Sequence, residues 1–262
     1  MRWLYWVDTL LCLLILYYFL PDLTGESRER WLSLEYWQQR VRGEHLMTRE
    51  GVLWRGDPRM PVVALTFDDG PDPETTPRVL EVLKQEGVRA TFFVVGTKLK
   101  QYPELARRIA AEGHALGCHS YDHQRQTTLT EEQVWRQIRD CQTLARRAGV
   151  QLVAYRPPYL EQNEAVRRAV QRWGMPLVMA TVLGEPEQSP RSHLWVHRYA
   201  RRARNGSILL LHDTYPYTAD ALPELIRALR QRGFQFATAP EMAEQLQAAR
   251  SRQEPHAAAL RD

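Results

Sequence analysis

The chain has 262 residues, 44% of them apolar and 25% charged, a composition that favours a packed globular domain over a disordered chain. Its net charge of +4 comes with no RNA-binding signature and no zinc-finger spacing, which argues against nucleic acid as a partner. The three cysteines, Cys12, Cys118 and Cys141, are odd in number and widely spaced, which excludes a disulfide framework.

The first predicted element is an N-terminal hydrophobic helix. Residues 3–20 are apolar apart from Asp8 and Thr9, and a membrane-spanning helix requires about 20 apolar residues. Because no small-residue cleavage site follows, we predict an uncleaved signal-anchor over residues 1–22. The protein would then be single-pass in the cell membrane, with the rest of the chain on the extracytoplasmic side. A cleaved signal peptide, which would make the protein secreted, and a buried helix are the alternatives.

The remaining chain divides into three predicted parts. Residues 23–60 are polar with scattered tryptophan and tyrosine and are interpreted as a stalk and lead-in. Residues 61–249 alternate between short apolar runs and amphipathic stretches, and residues 250–262 are predicted to be a flexible tail. The apolar runs, which suit strands buried on both faces, are Val62–Phe67, Ala90–Val95, Ala115–Cys118, Leu152–Tyr155, Leu177–Thr181, Ser207–Leu211 and Phe234–Ala237.

Helix-like stretches separate or follow these runs. They are Thr76–Gln85, Pro103–Glu112, Glu131–Arg147, Glu161–Arg172, Arg191–Ala203, Thr218–Gln231 and Pro240–Ala249. Seven strand–helix units in a row predict a parallel α/β sheet, either open or closed into a barrel. Such folds carry their chemistry in loops after the carboxyl ends of the strands, so functional residues are expected there.

Polar residues do follow the first and third predicted strands. Asp68 and Asp69 leave the first strand before a Gly-Pro turn, and two adjacent carboxylates are costly to desolvate unless they are paired or bind a cation. Their simpler interpretation is a turn with an aspartate cap. His119 and His123 follow the third strand, and imidazoles four residues apart converge if the segment makes a helical turn. Their simpler interpretation is two unrelated surface histidines. In the metal-binding interpretation, Ser120 and Asp122 are the candidates for groups that orient the imidazoles.

Two further strand ends carry candidate residues. Arg156 and Tyr159 flank a Pro-Pro pair after the fourth strand, and the prolines stiffen the loop that points both side chains. His212 directly follows the sixth strand, where a core histidine is the simpler interpretation.

Four strand ends at one edge of the sheet therefore carry polar residues of complementary chemistry. One aspartate and two histidines, namely Asp69, His119 and His123, make a metal-ligand set that leaves positions open for water and substrate. The remaining aspartate, arginine and histidine supply a base, an orienting group and an acid.

These motifs resemble those of the polysaccharide deacetylases of carbohydrate esterase family four, the NodB-homology group, over about residues 60–240. The similar segments are Thr66–Pro71, Val88–Gly96, Glu112–Ser120, Arg156–Tyr159 and Leu211-His212. The resemblance implies a distorted (β/α)7 barrel, preceded here by the anchor helix. It also implies a divalent metal, usually zinc, on the Asp-His-His set.

The resemblance further implies the role of each remaining residue. Asp68 would be the general base, with Arg156 beside it, and the backbone N–H of Tyr159 would hold the oxyanion together with the metal. His212 would protonate the leaving amine, and Leu211 would line an apolar slot for the acetyl methyl group.

The chain departs from the family pattern after the fifth strand. The family usually has an aspartate there, which orients the acid histidine, but residues 181–187 contain none. Glu185 or Asp213 is the candidate replacement.

The predicted function is hydrolysis of N-acetyl groups on a cell-surface polysaccharide containing N-acetylglucosamine, such as peptidoglycan or a chitin-like glycan, by a monomer. The alternatives are an esterase that acts on O-acetyl sugars and a catalytically impaired glycan-binding protein.

Overall fold

The computed structural model describes residues 51–183 and 192–258. The predicted anchor helix, most of the predicted stalk and Glu185 lie outside these ranges. No helix within them is long and apolar enough to cross a membrane.

Eight strands in the described ranges form a parallel sheet. They are β1 (Val52–Leu53), β2 (Val62–Asp68), β3 (Thr91–Val94), β4 (Ala115–Cys118), β5 (Ala154–Tyr155), β6 (Leu177–Val178), β7 (Ile208–His212) and β8 (Gln235–Phe236). Their order is β1-β6-β5-β4-β3-β2-β7, and β8 pairs with β2 outside this path. A parallel bridge between Val182 and Leu209 brings the chain after β6 against β7. The sheet therefore curves back on itself, consistent with a distorted barrel.

Helices follow most of the strands. They are α1 (Thr75–Glu86), α2 (Gly96–Gln101), α3 (Pro103–Ala111), α4 (Glu131–Ala148), α5 (Glu164–Gln171), α6 (Ser192–Arg202), α7 (Pro216–Gln231) and α8 (Ala239–Ala258). Two short 3-10 turns cover Gln126–Thr128 and Pro158–Leu160. The parallel α/β prediction is thereby confirmed.

Local chemistry explains where the elements begin and where the predictions differ. The Thr130 side chain accepts the Gln133 backbone N–H and the Gln133 side chain accepts that of Thr130, a reciprocal cap that begins α4. The helix α5 begins three residues later than predicted because the Asn163 side chain accepts the Val166 N–H at 3.0 Å. The elements β1 and α2 were not predicted, since two and six residues are too short to show a period.

The strand β2 forms the rigid centre beneath the site. All seven of its residues are buried, and Phe67 stacks on Phe92 of β3 at 4.9 Å between ring centroids. Burying each side chain of this size contributes about 1.5–3 kcal/mol. The end of β2, which carries the two adjacent aspartates, is consequently fixed by packing on both faces of the sheet.

His114, which precedes β4, makes stability depend on pH. Its Nδ1 accepts the Ala90 backbone N–H at 3.2 Å, and burial lowers the pKa of the imidazole to about 4, while Glu112 opposes this shift and Arg89 adds to it. A depressed histidine pKa means that the unfolded chain takes up the proton first. The resulting stability is present above the unfolded pKa of about 6.5 and is lost as the pH falls towards 4.

We therefore expect the free energy of unfolding to fall by about 2 kcal/mol more in the native protein than in His114→Gln between pH 7 and pH 4.5. Urea denaturation at both pH values measures the difference, and exposed His197→Gln is the matched control. Equal losses in the native protein and His114→Gln would contradict the assignment.

Candidate metal and catalytic site

The carboxyl ends of four strands bring the predicted site residues to one edge of the sheet. Asp68 is the last residue of β2 and His212 is the last of β7, and the strand register places the two opposite each other. His119 directly follows β4, and Arg156 directly follows β5. Because parallel strands end at the same edge, these four residues lie together at that edge.

Asp69, His119 and His123 form a possible metal-ligand set. Oδ1 of Asp69 is 3.4 Å from Nε2 of His119 and 3.1 Å from Nε2 of His123, and the ligand atoms all lie within 4.8 Å of one another. This carboxylate oxygen is buried and has no hydrogen-bond partner within the described part of the chain. A cation would satisfy all three atoms at once.

A hydrogen bond prepares the His119 imidazole for this role. Nδ1 of His119 lies 2.8 Å from the backbone oxygen of Arg156. Since a carbonyl only accepts, Nδ1 carries the hydrogen, and Nε2 is the nitrogen that faces Asp69 and is available to a cation. Burial would raise the pKa of Asp69, but the two histidines outweigh it and hold that pKa well below its usual range. The carboxylate is therefore ionised, as a metal ligand must be.

The two imidazoles converge although the segment between them makes no helical turn. Ser120 and His123 instead have left-handed backbones, with φ of 62° and 61°, and Asp69 has φ of 71°. Such conformations are uncommon outside glycine and persist only where the surroundings hold them. Ser120 does so by accepting the His123 backbone N–H at Oγ at 2.9 Å. Asp122 is exposed, and its carboxylate accepts from Gln124, which does not orient either imidazole.

A buried ion pair fixes Asp68. Oδ1 of Asp68 accepts from Nη1 of Arg156 at 2.8 Å, and its Oδ2 lies 3.8 Å from Nε2 of His119. Arg156 is fully buried, lies 4.2 Å from the Phe93 ring centroid and also donates to Thr66 Oγ1 at 2.7 Å. Burial lowers the pKa of Arg156, and the Asp68 carboxylate opposes that shift. One oxygen of Asp68 is thus held while the other faces the metal-ligand set.

His212 and Tyr159 lie on the solvent-exposed side of the site. Nε2 of His212 is 3.9 Å from Oδ2 of Asp69, and the side chain is 20% exposed. Its ring contacts Tyr215 at 4.7 Å between centroids. Tyr159 is 54% exposed and meets the His123 ring edge-on at 4.9 Å. The sequence contained no signal for Tyr215, which a turn brings back beside the strand end.

Asp213 lies beneath the turn that carries the two adjacent aspartates. It is buried, and its Oδ2 accepts from Thr76 Oγ1 at 2.5 Å. A Cβ on Gly70 would come within 2.2 Å of the same oxygen, so only glycine fits there. Burial raises the pKa of Asp213 to about 7, against the hydrogen bond from Thr76. These contacts support the turn, a role that the sequence did not indicate because Thr76 and Asp213 are distant along the chain.

The fold and the site together define the class of parallel α/β proteins that carry a candidate three-ligand metal site beside a buried aspartate–arginine pair and a histidine. The family model described as polysaccharide deacetylase matches residues 55–178. A peptidoglycan-N-acetylglucosamine deacetylase of Bacillus cereus is 30% identical over 73% of this chain and 92% of its own length. The chain belongs to the polysaccharide deacetylase family.

Two further comparisons delimit the similarity. The peptidoglycan-N-acetylmuramic acid deacetylase PdaC of Bacillus subtilis is 35% identical over 72% of this chain and 40% of its own length. The chain thus spans about two fifths of that relative. The structure of a carbohydrate esterase family four pseudoenzyme from Bacillus anthracis has a TM-score of 0.71 and 27% identity, covering 75% of this chain and 70% of that one. Fold similarity extends to a pseudoenzyme, so the argument for activity depends on the site residues.

Proposed function

We propose that this protein hydrolyses N-acetyl groups of a cell-surface polysaccharide that contains N-acetylglucosamine. The observation that carries the proposal is the convergence of the metal-ligand set, the buried Asp68–Arg156 pair and His212 on one edge of the sheet. The named activities of the Bacillus relatives, on peptidoglycan N-acetylglucosamine and N-acetylmuramic acid, support this class of substrate.

A divalent cation, most simply Zn²⁺, fits the ligand set. The set offers one carboxylate oxygen and two imidazole nitrogens, which is the donor chemistry that catalytic zinc sites use. When bound, zinc supplies a Lewis acid and lowers the pKa of water that it binds.

Two side chains carry out the proton transfers, Asp68 as the acceptor and His212 as the donor. Asp68 accepts a proton from the attacking water through the oxygen that faces the ligand set, because Arg156 occupies its other oxygen. The backbone N–H of Tyr159 stabilises the oxyanion that forms on the acetyl group. His212 donates a proton to the amine nitrogen as the bond between carbon and nitrogen breaks. Acetate and a free amino sugar leave.

Acetate release from defined substrates tests the proposal. We expect the zinc-loaded protein to release acetate from N-acetylglucosamine oligomers or peptidoglycan, to lose this activity with a chelator and to regain it with zinc. Release from O-acetylated xylan alone would identify an esterase. If a stoichiometrically metal-loaded protein released no acetate from any of these glycans but still bound them, the proposal would be wrong and the protein would be a glycan-binding member.

We also propose that residues 3–20 anchor a monomeric protein in the cell membrane with the catalytic domain on the extracytoplasmic side. The apolar sequence of this segment and a wall polymer as substrate support this location. Cell fractionation of the full chain tests it, since recovery in the cytoplasmic fraction would contradict the proposed location.

A further inference from the structure

The loop after β5 holds two adjacent residues in an unfavourable backbone conformation. Tyr159 and Leu160 are both left-handed, with φ of 61° and 56°. This conformation is unfavourable for any residue that is not glycine. The surrounding structure must therefore hold the loop in place. The 3-10 turn itself has two internal bonds, Leu160 N–H to Pro157 O at 3.1 Å and Glu161 N–H to Pro158 O at 3.3 Å.

Arg125, in the loop after β4, covers the Tyr159 ring. The central guanidinium carbon lies 4.7 Å from the ring centroid, a cation–π contact. The same ring contacts His123, a predicted metal ligand, at 4.9 Å. Tyr159 is thus held between a cation and one ligand of the metal set.

A second contact fixes Arg125. Its Nη1 donates to Oε1 of Glu161, and Oε2 of Glu161 accepts from Thr127 Oγ1 at 3.1 Å. The Thr127 carbonyl accepts from Nδ2 of Asn163 at 3.2 Å, and Asn163 caps α5. These four residues, which we call the loop clamp, join the loop after β4 to the part of the loop after β5 that directly follows Tyr159.

We propose that the loop clamp is a positioning device that fixes the backbone N–H of Tyr159 for the oxyanion, an inference that rests on the proposed function. The oxyanion exists only in the transition state and the intermediate, so loosening its donor lowers kcat and leaves substrate affinity nearly unchanged. An exposed ion pair and an exposed cation–π contact are each weak interactions. Their combined loss corresponds to a decrease in kcat of about tenfold.

The test compares Arg125→Met with Arg125→Lys. We expect Arg125→Met to lower kcat on N-acetylglucosamine oligomers about tenfold, with KM and zinc affinity within about twofold of the native values. Arg125→Lys keeps a cation over the ring and should recover kcat to within about threefold. The matched control is Arg78→Met, since Arg78 forms an exposed ion pair with Asp220 between α1 and α7, and its kcat should not change.

Hydrogen exchange of the Leu160 and Glu161 amides gives a readout that does not depend on turnover. These amides donate to Pro157 and Pro158, and they should exchange several-fold faster in Arg125→Met than in the native protein. If the native protein releases no acetate, the proposed function fails and the exchange rates still decide whether the clamp exists. An unchanged kcat, an increased KM at constant kcat or unchanged exchange would each overturn the proposal.

Discussion

Replacing Asp68 by asparagine is expected to lower kcat by about a thousandfold while zinc remains bound. The amide cannot accept a proton from water, and positioned general bases contribute about 10²–10⁴-fold. The metal-ligand atoms belong to Asp69, His119 and His123, so the change leaves the ligand set intact. Steady-state turnover together with zinc analysis of the purified variant measures both properties.

The same substitution also tests the buried ion pair. Asparagine leaves the Arg156 guanidinium fully buried without its anionic partner, and breaking such a pair costs about 3–5 kcal/mol. The variant should therefore unfold at a lower temperature, and kcat must be measured below its transition. Asp122→Asn is the matched control, because this exposed carboxylate lies in the loop between the histidines and contacts Gln124. Native-like turnover in Asp68→Asn would exclude Asp68 as the base.

Several features of this site could be predicted because they depend on local sequence and one topological rule. Buried apolar runs indicated β2, β4, β5 and β7, and parallel strands must end at a common edge. The sequence therefore predicts that four residues, Asp68, His119, Arg156 and His212, meet at that edge. The residue types at those ends then indicated a cation site, because isolated carboxylates are expensive to bury.

Features that depend on contacts between distant segments could not be predicted in this way. The period of a helix suggested a turn between His119 and His123, but hydrogen bonding to Ser120 and the Arg156 carbonyl holds a left-handed path instead. The support of the aspartate turn by Asp213 requires Thr76, which lies on a helix 137 residues away. The hydrophobic periodicity of the sequence does not indicate such contacts, because they form only when the folded sheet brings distant loops together.

The site concentrates local costs that the rest of the domain must offset. Left-handed residues, a buried arginine and a buried carboxyl with a raised pKa all lie at the carboxyl edge of the sheet. Natural sequences depart from local preferences chiefly where function requires it. The continuous apolar packing of β2 and its neighbours keeps this edge rigid enough to maintain those conformations.

Removing a metal ligand should abolish zinc binding, whereas Asp68→Asn should retain zinc. Asp69→Ala and His119→Ala each leave two of the three ligands. Loss of a group that only supports a ligand already lowers metal affinity by about 10–100-fold, so we expect loss of a ligand itself to lower zinc affinity by at least about a hundredfold. Turnover should then disappear together with zinc. His197→Ala is the matched control, because this exposed histidine pairs with Glu224 on the helices behind the sheet.

Thermal unfolding with and without zinc separates loss of binding from loss of fold. A ligand that binds only the folded state stabilises it by about 2.7 kcal/mol at a hundred times its Kd, so zinc should raise the Tm of the native protein and of His197→Ala. It should not raise the Tm of Asp69→Ala or His119→Ala at the same zinc concentration. If zinc raised the Tm of both ligand variants as much as it raises the Tm of the native protein, the metal would bind elsewhere. Zinc retained in Asp68→Asn and lost in Asp69→Ala would assign different roles to two adjacent aspartates, one to proton transfer and one to the metal.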